Sequence, residues 1–185
     1  MRLPPRRRGQ RHTQGQALVE FALVLPIALL ILLGIIQFGF LFSSQIGVIN
    51  AVRETARFGS TSPLSDVATA STNGANVCTY LENTAMTRVP GYSIGNVVGS
   101  GATYVKYESY PDPHDPPDTY SIRMTVHIEY KHPLVVPIVS AILDGLDGTN
   151  DSHFQLGADE AMRVENPVLT TDPGMSGGSA VKVNC

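Results

Sequence analysis

The sequence predicts an α+β fold: one long amino-terminal helix, a second helix, and a small antiparallel sheet of three or four strands. Three observations support this prediction. Residues 21–42 form an uncharged apolar run, which is long enough to cross a membrane as a helix. Apolar residues then recur at three- and four-residue steps as far as residue 85, as on one face of a helix. From residue 102 onwards the period changes to two, which is typical of strands.

We expect four segments along the 185 residues. They are a basic leader over 1–15, a transmembrane and stalk helix over 16–59, an extracytoplasmic α+β domain over 60–165, and a tail rich in glycine, proline and serine over 166–185. The leader holds five arginines and no acidic residue. Because basic residues beside a membrane helix stay on the cytoplasmic side, we predict a single-pass protein of the cytoplasmic membrane, with its amino terminus inside and its domain outside.

The charge outside the leader argues against a nucleic-acid partner. The chain has 13 lysines and arginines, five of them in the leader, against 16 acidic residues. The rest of the chain is therefore acidic and offers no basic face to a phosphate backbone. We expect membrane lipid to be the partner of the apolar run.

The first helix is predicted to extend well beyond the membrane. Helical spacing continues through Ile46, Ile49, Arg53 and Arg57. A helix over residues 16–58 is about 65 Å long, roughly twice the thickness of a bilayer core. Its second half must lie against the domain or against other subunits. Pro26 removes a backbone hydrogen bond inside the helix, so we expect a kink or a locally melted turn there.

The second helix is predicted to begin at Ser62-Pro63, an N-cap residue followed by proline at the first helical position. Pro90-Gly91 should end it, and Gly74 weakens its middle. Strands follow over residues 102–110, 120–131 and 154–164. Residues 134–143 form a short helix or a covering loop, and residues 166–185 are expected to be poorly ordered apart from a tether at Cys185.

The two cysteines, Cys78 and Cys185, allow one intramolecular pairing. The sequence lacks the CxxC spacing that would indicate a metal site. A disulfide bond is typical of an exported domain. A bond between them is our prediction. Two unlinked thiols, or a bond between subunits, are the alternatives.

Catalytic and cofactor motifs are absent from the sequence. It has no HExxH and no glycine-rich phosphate loop. The stretch DGLDGTND does not fit a calcium loop, since Ser152 and Ala158 would occupy the required glycine and glutamate positions. We therefore predict no catalytic residues, no metal, no cofactor and no small-molecule substrate.

A single carboxylate, Glu20, stands at the entrance of the apolar run, in the stretch Gly15-Gln16-Ala17-Leu18-Val19-Glu20-Phe21. A charge at full membrane depth costs about 2.5–3.5 kcal/mol on insertion scales, and a simple anchor does not need one. If a peptidase cuts after Gly15, the new ammonium group on Gln16 lies about one helical turn from Glu20. The two charges can neutralise each other between adjacent subunits. The alternative is that the carboxylate lies among the lipid headgroups and has no role in assembly.

The segment resembles type IV prepilins, in which a glycine is followed after four residues by glutamate and then an aromatic residue. More narrowly, GQALVEFALVLPIALLILLGIIQFGF together with AVRETARFG is similar to the TadE-like minor pseudopilins of tight-adherence (Tad) pili. The later stretches YSIRMTVHIEYKHPLVVPI and ADEAMRVE agree with that family in pattern. This chain departs from the family at Gln37 and Phe40, where an acid and an arginine are common.

The resemblance implies a long pilin-like helix, cleavage between Gly15 and Gln16 by a prepilin peptidase, and assembly through Glu20 and Phe21. Its implied partners are that peptidase, other pilin-like subunits and the Tad assembly machinery, and its implied destination after assembly is the extracellular pilus. The function we predict is that of a minor pilin-like structural subunit.

Two further expectations accompany this prediction. The charged band of Arg53, Glu54 and Arg57 could contact acids on a neighbouring subunit, or simply anchor the helix at the headgroups. The alternative function is a permanently membrane-anchored extracytoplasmic binding module that does not polymerise.

Overall fold

A computed structural model describes residues 11–99, 101–112, 119–148, 151–165 and 169–185. Most of the predicted basic leader lies outside the described residues. The helices are α1 (Arg11–Ser60), α2 (Val67–Tyr80) and α3 (Pro137–Asp147), and the strands are β1 (Tyr104–Pro111), β2 (Tyr120–Pro133), β3 (His153–Arg163) and β4 (Val181–Asn184). The strands form one antiparallel sheet in the order β3-β2-β1-β4. The predicted α+β class is confirmed.

Helix α1 runs without interruption for 50 residues. It continues through Pro26, so the locally melted turn expected there is absent. Its second half turns one face into the core, where Val48, Ala51, Val52 and Ala56 are buried. This spacing of three to four residues places them on one side of the helix. The stalk half of α1 therefore lies against the domain of its own chain.

Helix α2 begins later than predicted, because Asp66 rather than Ser62 is its N-cap. The Asp66 carboxylate accepts a hydrogen bond of 2.8 Å from the Thr69 backbone N–H, which satisfies one of the free donors of the first turn. That bond is the main reason why the pKa of Asp66 is lowered. Beyond Tyr80 the chain continues as a π-helical and then a 3-10 turn to Arg88. The α-helix thus ends ten residues before the predicted end at Pro90-Gly91, although helical turns reach Arg88 and a turn follows in which Gly91 has a φ of 74°.

Gly74 weakens α2 in isolation but is required by its packing. A Cβ at this position would lie 2.6 Å from Cγ2 of Val183 on β4. The absence of a side chain thus lets α2 approach the sheet closely. Gly59 has the same role near the end of α1, where a Cβ would lie 2.6 Å from Sδ of Met124.

Strand β2 is the centre of the domain, and the alternation predicted for it is confirmed. Its inward side chains are almost completely buried and belong to one core cluster with α1 and α2: Ile122, Met124, Val126, Ile128 and Tyr130. The Tyr130 hydroxyl donates a hydrogen bond of 2.6 Å to the Gly91 carbonyl, so the central strand also holds the turn that follows α2.

The carboxyl-terminal segment corrects one prediction. We expected residues 166–185 to be poorly ordered, but residues 169–185 pack onto the domain. β4 pairs with β1 from Tyr104 to Tyr107, and Met175 is fully buried. Cys78 and Cys185 form an intrachain disulfide. The short alternating run around Val181 and Val183 was hidden by the surrounding glycines and serines, and it becomes a strand because β1 offers it a free edge.

Candidate assembly and membrane-anchoring site

The residues predicted to take part in processing and assembly lie on the first turns of α1, where no other described part of the chain reaches. Residues 15–20 are all exposed, and Phe21 keeps 62% of its surface. A Cβ on Gly15 would meet no atom within 4 Å. This end of the helix is therefore free to meet another protein or lipid.

Glu20 is within reach of the backbone that cleavage would expose. The Gln16 side chain donates a hydrogen bond of 3.1 Å from Nε2 to Oε1 of Glu20. The two residues are one helical turn apart, so their backbones are separated by about 6 Å along the axis. Among the side chains that the structure describes, Glu20 forms no ion pair. The carboxylate is available to a cation from outside the described part of the chain.

The apolar part of α1 is uncovered. An 18-residue window within Gly15–Ser60 has a mean hydropathy of 2.8, and none of it is buried inside the protein. By length and composition this is a helix that can cross a membrane. So many exposed large apolar side chains require a cover of lipid or protein. Among them are Leu23, Ile27, Ile31 and Ile35. The helix thus suggests membrane anchoring.

Gln37 is the polar exception in this run, and the structure gives it a role that the sequence did not predict. Its side chain is fully buried. Oε1 accepts hydrogen bonds of 3.0 Å from the backbone N–H groups of Val135 and of Val136. These residues lead into α3, whose Val139 and Leu143 pack on Leu41 of α1. Gln37 therefore ties α3 to the apolar helix.

The sequence contained a signal for this contact. A lone amide in an otherwise apolar helix usually has a specific partner, because an unsatisfied polar group in hydrocarbon is costly. Its partner could not be identified, since it comes from backbone groups about a hundred residues later.

We predict that Gln37→Leu weakens the attachment of α3. Loss of the acceptor leaves two N–H groups without their bonds, at about 1–3 kcal/mol. Hydrogen exchange in residues 134–147 should accelerate in the detergent-solubilised protein, with a smaller change elsewhere. Gln45→Leu is the matched control, since Gln45 makes one partly exposed bond of 3.1 Å to the Gly157 carbonyl. Equal protection of residues 134–147 in both variants would contradict the role of Gln37.

The predicted charged band is partly engaged within the chain. Nε of Arg53 lies 3.3 Å from Oε2 of Glu160 on β3, in an exposed pair. Glu54 accepts hydrogen bonds from the Tyr80 hydroxyl at 2.8 Å and from Nη1 of Arg88 at 2.6 and 2.7 Å. These two donors, the hydroxyl first, hold the pKa of Glu54 below its usual range.

The three members of the band therefore differ in what they offer a neighbour. Arg57 is exposed, whereas Glu54 helps to fix α2 on α1. A role for all three residues in subunit contacts remains a prediction, and Arg57 is the member best placed for it.

The described residues contain no cluster of three or more histidine, cysteine or acidic side chains that could hold a metal ion. His132 is the most buried histidine, at 4% exposure, and burial is the main cause of its lowered pKa. It stands beside Tyr130 at a centroid separation of 6.3 Å. We assign it a packing role within the fold.

Comparison with known proteins matches the amino-terminal helix. A family model described as TadE-like protein matches residues 15–57, which confirms the resemblance over the predicted processing site, the apolar run and the charged band. Over this segment, about a quarter of the chain, the sequence is similar to the TadE-like family. No curated protein and no solved structure matches the chain. The similarity noted for the later strands lies outside the matched residues.

Proposed function

With residues 15–57 matched to the TadE-like family, we propose that this chain is a minor pilin-like structural subunit for the assembly of a Tad-type surface pilus. A prepilin peptidase processes it after Gly15. Helix α1 anchors it in the cytoplasmic membrane with the amino terminus inside and the domain outside. The observation that carries this proposal is the placement of Glu20, exposed and one turn from Gln16, at the start of an uncovered apolar helix.

The chemistry of assembly follows from that placement. Cleavage creates an ammonium group at Gln16, beside hydrocarbon. As helices gather, the Glu20 carboxylate of one subunit pairs with the ammonium group of another, and this attraction is strong because water is scarce there. Each charged group loses water when the helices pack, and the opposite charge of the other group compensates for that loss. The apolar faces of α1 supply the remaining contact.

The proposed topology agrees with two separate features. The arginines of the leader favour the cytoplasmic side. The disulfide between Cys78 and Cys185 suits an oxidising compartment outside the cytoplasm.

The test of processing is mass spectrometry of the amino terminus of protein recovered from membranes of a Tad-positive host. A mature chain that starts at Gln16 supports the pilin-like function. An intact leader in cells that process their other prepilins would instead support a permanently anchored binding module.

Glu20→Ala tests assembly separately. We expect normal insertion and normal cleavage, because neither needs the carboxylate, but at least about a tenfold loss of co-purification with other pilus subunits, equivalent to about 1.4 kcal/mol. Detergent pull-down with quantitative mass spectrometry measures it. Glu20→Gln should behave like Glu20→Ala, since it keeps the shape and loses the charge, whereas Glu20→Asp should retain part of the binding. Unchanged recovery of partners with Glu20→Gln would refute a role for the charge.

A further inference from the structure

Helix α3 carries an exposed apolar face that none of the described residues of the domain covers. The structure describes six exposed large hydrophobic residues after residue 60, and four of them lie between residues 135 and 146: Val135, Ile138, Ile142 and Leu146. The last three occupy every fourth position of α3, so they form one row along the helix. The two acidic residues of α3, Asp144 and Asp147, lie outside this row. The neighbouring face of α3, through Val139 and Leu143, already packs against Leu41 of α1.

The position of α3 along α1 places this face at membrane depth. A groove of about 300 Å³ between the two helices is lined on the α1 side by Leu30, Ile31, Gly34, Ile35 and Phe38. A bilayer core that begins near Phe21 is crossed by about twenty helical residues and ends near Leu41. The α1 residues beside α3 therefore belong mainly to the outer half of the span.

The backbone N–H groups leading into α3 are hydrogen-bonded within the protein, as an environment without water requires. The N–H of Leu134 donates to the Ser152 carbonyl at 3.0 Å, and those of Val135 and Val136 donate to Gln37. Residue 137 is a proline and has no N–H. Non-helical backbone is tolerated at membrane depth only when its polar groups are satisfied by the protein. Oε1 of Gln37 satisfies two of these N–H groups, whereas Nε2 of the same amide is buried with no partner among the described residues.

From these observations we propose that α3 is a second membrane contact, embedded in the outer leaflet beside α1, with lipid acyl chains as the occupant of its exposed face. The exposed row of α3 continues the exposed apolar surface of α1, so one lipid environment covers both. Membrane attachment then has two parts, a spanning helix and a short helix that holds the domain against the bilayer surface. The proposal rests on anchoring by α1 and is independent of cleavage and polymerisation.

The absence of tryptophan from the chain permits a direct test. Single-tryptophan versions of the full chain, Ile142→Trp and Ile138→Trp, are reconstituted at low protein density in phosphatidylcholine vesicles with or without brominated acyl chains. Ile31→Trp on α1 is the membrane reference. Val67→Trp is the domain reference, since Val67 is an exposed residue, 45% accessible, at the start of α2. Each substitution replaces an exposed branched side chain, so folding should be retained.

We expect brominated lipid to quench Ile142→Trp and Ile138→Trp at least half as strongly as Ile31→Trp, and aqueous acrylamide to quench them several-fold less than Val67→Trp. Bromine near the headgroups should quench the α3 tryptophans more than bromine at the bilayer centre.

The other outcomes each overturn the proposal. Acrylamide quenching of the α3 variants equal to that of Val67→Trp would place α3 in water. Shielding from both quenchers that disappears on dilution with lipid would mean that a second protein copy covers the face. Failure of brominated lipid to quench Ile31→Trp would overturn membrane anchoring by α1 and, with it, the proposed role of α3. The amino-terminal mass of the mature chain would still test processing independently.

Discussion

Gly15→Leu should abolish maturation, leaving a protein about fifteen residues longer than the processed form. The expected effect is large because the peptidase must approach the backbone at the bond to be cut, and glycine presents no side chain there. The structure separates this effect from folding. A Cβ at Gly15 meets no atom within 4 Å, and leucine favours the helix more than glycine by almost 1 kcal/mol.

Gly39→Leu is the matched control for processing. It makes the same change in the same helix, at another glycine whose Cβ would meet no atom within 4 Å, and it should be cleaved normally. Intact mass and amino-terminal sequencing of both variants from membranes measure the result. Normal cleavage of Gly15→Leu would show that the peptidase does not cut at this glycine.

Cys185→Ser should cause the largest loss of stability among the substitutions considered. The disulfide joins residues 107 positions apart, and a loop of that length is worth about 4–5 kcal/mol in the chain-entropy model. The tail is packed rather than loose, since β4 pairs with β1 and the Cys185 N–H donates to the Thr103 carbonyl at 3.0 Å. We therefore expect most of that contribution to be realised, as a fall in melting temperature of about 10–15 °C.

The control for the disulfide is a double-mutant cycle. Cys78→Ser, Cys185→Ser and the double variant should melt at nearly the same temperature, because each removes the same bond. Circular dichroism of the full chain in detergent follows the transition. Losses that add in the double variant would mean that the cysteines act independently. A dimer band of the wild-type chain on a non-reducing gel would instead show a bond between subunits.

The amino-terminal half of this protein was determined largely by local sequence. An uncharged run of this length has one stable form across a bilayer, a helix, and the positions of Gly15 and Glu20 within it follow by counting. The alternation in β2 was equally clear, because Ile122, Met124, Val126, Ile128 and Tyr130 had to share one face. These predictions did not depend on knowing which elements pack against one another. The helix, the central strand and the processing hypothesis could therefore be derived from the sequence alone.

The tertiary structure decided the contacts between distant segments. Asp66 replaced Ser62 as the cap of α2, because the chain after α1 first spans six residues before its helix begins. Gly74 looked like a weak point, yet its missing side chain admits Val183. The carboxyl-terminal strand was hidden because four residues in a glycine- and serine-rich tail have little β signal until β1 provides an edge.

Gln37 and α3 show the same division most clearly. Local sequence marked Gln37 as an anomaly in the apolar run and residues 134–143 as apolar, but it could not connect them. The connection depends on a chain reversal that brings Val135 and Val136, which follow β2 in the chain, back to α1. Periodicity reports which face of an element avoids water, whereas the identity of what covers that face depends on long-range topology.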